Sequence, residues 1–74
     1  MSGRRESIRR RQAAIDALRQ ERRSHEEGWR AIEPRGGVSV DVTAERVKFL
    51  DDTIAELERV NAIDERKDRE ERED

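Results

Sequence analysis

Seventy-four residues, 49% of them charged and only 31% hydrophobic, make one small domain at most. A chain of this size buries a modest share of its surface, so a partner or self-association often completes such a fold. The absence of cysteine excludes disulfides and thiolate metal sites, and no apolar run is long enough for a membrane span or a signal peptide.

The charges are divided along the chain. Residues 1–24 carry eight arginines against three acidic residues, a net +5, whereas residues 44–74 carry seven basic against twelve acidic residues, a net −5. Helices folded back antiparallel would lay a basic face beside an acidic one, although each exposed pair adds only about 0.2–1 kcal/mol. The charge content approaches that of disordered chains, but the apolar residues fall at helical and strand spacings, which argues for a folded centre.

A first helix is expected from about Arg4 to Glu27. Ile8, Ile15 and Leu18 share one face, Ala13, Ala14 and Ala17 favour the helix, and the same face continues through Arg11, Arg22 and His25. Gly28 can end it. Trp29–Glu33 and Val38–Val42 then flank the turn sequence Pro34-Arg35-Gly36-Gly37, and Val38, Val40 and Val42 alternate with polar residues as in a strand with one buried face. Trp29 is expected to pack this hairpin onto the helices, or else to anchor a partner.

Thr43 stands where a second helix would be capped, with Val42 and Val47 placed as a hydrophobic staple. Val47, Leu50, Ile54 and Leu57 form the core stripe, and Asn61 continues it as a polar position. Phe49, Val60 and Ile63 fall on a separate flank roughly 90° away. Together with Trp29 they are the candidate subunit interface. Asp64–Asp74 contains no apolar residue and is expected as a frayed, solvated tail, dividing the chain into a domain at 1–63 and a charged tail at 64–74.

The expected fold class is therefore α+β: a small single domain, helix–β-hairpin–helix (α-β-β-α), with two antiparallel helices. A competing pattern is present. Ile8, Arg11, Ile15, Leu18, Arg22, His25, Trp29 and Ile32 keep strict 3-4 spacing, which would suit one helix running through Gly28 in a plain helical hairpin. That arrangement costs roughly 1 kcal/mol at the glycine.

From Gly37 to Glu58 the sequence resembles the head-completion, or head–tail joining, proteins of tailed phages typified by the W protein of lambda-like phages. The resemblance rests on Val40-Asp41-Val42-Thr43-Ala44 and Ile54-Ala55-Glu56-Leu57-Glu58 at the family's separation, and it covers about a third of the chain. It implies an α-β-β-α domain that acts without catalysis, in the virion at the head–tail junction after assembly in the host cytoplasm. Copies would form a homo-oligomeric ring beneath the portal protein, retain packaged DNA and offer a docking surface to the tail or a stopper protein. Two features depart from the family. The first helix is about two turns longer, and the last segment is fully charged where the family's flexible tail has apolar residues.

No arrangement of residues suggests an enzyme. His25 is the only histidine, adjacent carboxylates such as Asp51-Asp52 diverge on a helix, and Gly36-Gly37 lacks the Lys-Ser/Thr of a phosphate loop. Neither a cofactor, a metal nor a small-molecule substrate is expected, and no membrane association. Arg4, Arg5, Arg9, Arg10, Arg11, Arg22 and Arg23 are the candidate contacts to a partner or to DNA phosphates, where each neutralised phosphate releases counterions. Acidic portal loops would serve these arginines equally well. The alternative function is a helical-hairpin coiled-coil module, or small regulator, engaging nucleic acid through the arginine-rich helix.

Overall fold

The computed structural model describes residues 3–73, with side chains through Arg72. The element order is α1 (Gly3–Glu26), β1 (Ile32–Arg35), β2 (Val38–Asp41) and α2 (Thr43–Glu73). The expected α-β-β-α plan is what the chain adopts. It is a narrow rod, 59 × 25 × 15 Å, because the helices lie antiparallel and the hairpin extends the end where they are joined.

Helix α1 ends at a Schellman motif. Trp29 N–H donates to the Ser24 carbonyl and Gly28 N–H to the His25 carbonyl, while Gly28 takes a φ of +111° that side-chain-bearing residues rarely adopt. This stop removes the uninterrupted helix through Gly28. His25 reinforces the stop, its Nδ1–H donating to the Trp29 carbonyl at 2.8 Å.

The hairpin differs in register from the expectation. Its first strand is Ile32–Arg35 rather than Trp29–Glu33, and only Gly36-Gly37 form the turn. Both glycines have positive φ, the pair of values that a two-residue type I′ turn requires. Pro34 and Arg35 therefore lie within the strand, opposite Ser39 and Val38. The turn places hydrogen-bonded pairs at Arg35/Val38 and Glu33/Val40, so Pro34 turns its missing N–H outward, where a strand tolerates it.

The alternating valines form a gradient rather than a uniformly buried face. Val42 is buried at the base, Val40 is half-buried, and Val38 is exposed at the tip. The hairpin thus projects from the end of the helix pair, pinned mainly at its root.

The core is small: Ile15, Val42, Leu50 and Ile54. Around it both helices keep a 3-4 seam of buried or half-buried positions. In α1 these are Arg4, Ile8, Arg11, Ile15, Leu18, Arg22 and His25; in α2 they are Val47, Leu50, Ile54, Leu57, Asn61, Asp64 and Asp68. The seam is apolar near the hairpin and polar away from it. Residues 64–73 are helical and continuous with α2, not a frayed tail, because arginines of α1 reach across to them. Residues 1, 2 and 74 of the two expected segments lie outside the described residues.

Candidate interaction surfaces

The joint between hairpin and helix is built from three residues of the Asp41-Val42-Thr43 run. The Val42 carbonyl accepts the first helical bond, from Arg46 N–H, so Val42 occupies the cap position and Thr43 is already helical. The Thr43 hydroxyl does not cap the first turn. It accepts from Ala31 N–H at 2.9 Å and donates to the Asp41 carboxylate at 2.5 Å, fastening the entry of β1 to the start of α2. Asp41 also accepts from Thr43 N–H and pairs with Arg30. Donation from the Thr43 hydroxyl, then from its N–H, then from Arg30, lowers the Asp41 pKa to about 2. Arg35 closes the joint by pairing with Glu45 at 2.7 Å, which holds the Glu45 carboxyl below its ordinary value.

The seven candidate arginines prove to be mostly occupied within the chain. Arg4 pairs with Glu71, Arg5 with Asp68, Arg10 with Glu6, Arg11 with Asp64, and Arg22 with both Asp51 and Glu26. Among the described residues only Arg9 and Arg23 of the seven have no acidic side chain within ion-pair distance. The arginine-rich helix therefore presents its basic charge chiefly to α2 rather than outward. Arg23 lies with Asp16, Arg19 and Gln20 around a shallow hollow of about 260 Å³ on the outer side of α1.

Asn61 was legible as a polar interruption of the stripe, but its partners were not. It is buried, donates to the Ile8 carbonyl at 3.1 Å, and accepts from Arg11 at 3.2 Å, while Arg11 also holds Asp64 at 2.5 Å. Asp64 and Asp68 were missed as seam positions. Continuing the 3-4 count past Asn61 would have found both.

The four candidate interface residues are accessible to different degrees. Trp29 is 71% exposed and does not pack the hairpin onto the helices, because the Schellman turn swings it outward just after Gly28. Phe49 is 52% and Ile63 41% exposed, and Val60 is half-buried on the same flank. The Arg46 guanidinium lies 5.1 Å from the Phe49 ring centroid and pairs with Glu21 across the helices, which keeps the Glu21 carboxyl below its usual range. Ile32 and Val38 add exposed apolar surface on the hairpin.

Among the described residues no group of three His, Asp or Glu side chains could hold a metal, and no helix is long and apolar enough to cross a membrane. Comparison with protein-family models, curated proteins and solved structures finds no match to this chain.

Proposed function

We propose that the chain is a non-enzymatic structural component of a tailed-phage head–tail connector, assembling as a ring under the portal. There it helps retain packaged DNA and forms the docking surface for the tail or the next connector protein. The observation that carries this reading is the run Gly37–Glu58. The segment that resembles the head-completion family is the one that forms the second hairpin strand, the fastened joint and the start of the long helix.

The surface supports the same reading. A hairpin with two solvated faces is marginal by itself, and this one carries exposed Ile32 and Val38 beside Trp29. Such apolar exposure on so small a core suits a subunit completed by its neighbours. Because most of the arginines are neutralised internally, contact with packaged DNA falls to Arg9 and Arg23 and is not base-specific.

Purified chain incubated with portal rings, then sedimented and imaged, tests the proposal. An added ring of density on one end of the portal is the expected result. Tight, salt-sensitive binding to free duplex DNA with no attachment to portals would replace the connector with the nucleic-acid-binding alternative.

A further inference from the structure

Residues 64–73 contain no apolar side chain, yet they stay helical alongside α1. Among the described residues, the ion pairs that join this segment to α1 come from one row of carboxylates. Asp64, Asp68 and Glu71, three and four residues apart, meet Arg11, Arg5 and Arg4 in antiparallel order. The pairs loosen toward the far end of the rod. Arg11 donates to Asp64 at 2.5 Å and to Asn61 at 3.2 Å. Arg5 lies 3.5 Å from Asp68, which Arg72 of its own helix also approaches at 3.2 Å. Arg4 Nη1 is enclosed 2.7 Å from Glu71, but without hydrogen-bond geometry.

We infer that residues 64–73 are an autoinhibitory cover, whose carboxylates occupy an arginine face that fits the phosphate backbone of nucleic acid. The inference goes beyond the connector reading and does not depend on a ring. With the cover closed, contact with DNA at this end of the rod is left to Arg9. With it lifted, Arg4, Arg5 and Arg11 join that contact, and Arg9 extends the face on the flank of Arg5, four residues away.

Charge density says which ligand displaces the cover. Carboxylates three and four residues apart on a helix are spaced about 4.5–6 Å along its axis, whereas duplex DNA carries one charge per about 1.7 Å. A phosphate backbone therefore offers these arginines more negative charge than the row it replaces, and the planar guanidinium fork matches phosphate as it matches carboxylate. The stretch from Gly3 to Arg11 holds five arginines against Glu6 alone, enough to attract such a backbone once uncovered. Little opposes the exchange. Pairs as exposed as these are individually weak, and lifting a segment without apolar residues leaves Ile15, Leu50 and Ile54 packed.

Neutralising the cover in the full chain tests this. Binding of a short labelled DNA duplex is followed by fluorescence anisotropy for the wild type and two combined variants. One carries Asp64→Asn, Asp68→Asn and Glu71→Gln. The other carries Glu56→Gln, Glu65→Gln and Glu70→Gln, has the same net charge, and alters carboxylates whose ion pairs lie within α2. The first is expected to bind at least about tenfold tighter than the wild type, with a salt dependence steeper by about three counterions, one for each arginine freed. The second is expected to stay within about threefold of the wild type, because distant charges are screened at physiological salt. In the wild type, excess duplex should speed amide exchange at residues 64–71 and leave residues 47–57 unchanged, a readout that stands even if the first variant loses helix. Equal tightening in both variants reduces the effect to net charge and overturns the cover. So does no tightening in either, or protection at residues 64–71 that survives duplex binding. Tighter capture of poly-glutamate than of duplex by the first variant overturns the phosphate assignment. Attachment to portals is measured separately and is untouched by any of these results.

Discussion

At the scale of single residues, Thr43 carries more of the architecture than a capping residue would. Among the described residues its hydroxyl is the acceptor for Ala31 N–H, and it also donates to Asp41. Thr43→Val keeps the shape but leaves a part-buried N–H without an acceptor, a cost of about 1–3 kcal/mol. Thermal unfolding should show it as a fall in Tm of several degrees, at about 4–8 °C per kcal/mol for a domain this small. Asp41 makes the same joint sensitive to acid. Its folded-state pKa is depressed from 3.8 to about 2, so its contribution is complete above pH about 4 and is lost as pH falls toward about 2. The stability difference between wild type and Asp41→Asn should therefore be constant near neutrality and close over that window. A gap that persisted at pH 2 would mean that the carboxylate charge is not what holds the joint. The sequence marked Thr43 as special through its place before Ala44-Glu45. It did not show the role, because the hydroxyl's partner, Ala31, is twelve residues away and local only once the hairpin has formed.

Elements were legible where the signal was local. The end of α1, the glycine turn and the start of α2 all follow from residues that constrain their own backbone: Gly28, Gly36-Gly37, and the run before Ala44. The position of β1 was not, because Trp29-Arg30-Ala31-Ile32-Glu33 reads as a strand by composition. The Schellman turn consumes Trp29, and the two-residue loop then forces Arg35 to pair with Val38. Turn geometry fixed the register, overriding residue preference and drawing Pro34 into the strand. The same displacement explains why Trp29 faces solvent instead of the core. Gly28 is thus the hinge of the plan. Gly28→Ala places a Cβ in the left-handed region at a cost of at least about 1 kcal/mol, although no neighbouring atom obstructs it. Equilibrium denaturation would register that loss. An unchanged or raised stability would mean that helix tends to continue toward Trp29, as the 3-4 spacing of Ile8 to Ile32 also permits.

Across the whole molecule, one antiparallel seam is held by two kinds of force. Toward the hairpin, Ile15, Leu50 and Ile54 exclude water, and that attraction is indifferent to moderate salt. Away from it, the last apolar residue of α2 is Ile63, and Arg4–Glu71, Arg5–Asp68 and Arg11–Asp64 join the helices beyond. This division was written in the opposed charges of the chain's two ends. What composition alone left open was whether those charges would pair or simply remain solvated. They pair because the seam continues in register past Asn61, whose buried amide ties α1 to α2 where the apolar contacts stop. Pairs this exposed are individually weak, so the distal half is held by three small attractions acting together. At 1 M salt the screening length shrinks to about 3 Å and most of that attraction is removed. Amide exchange along residues 4–11 and 61–71 should accelerate by roughly tenfold between low salt and 1 M salt, the equivalent of about 1.4 kcal/mol. Exchange at residues 47–57 should change far less. Equal acceleration in both halves would show instead that the rod opens as one cooperative unit, with its polar end stabilised through the apolar core rather than by its own ion pairs.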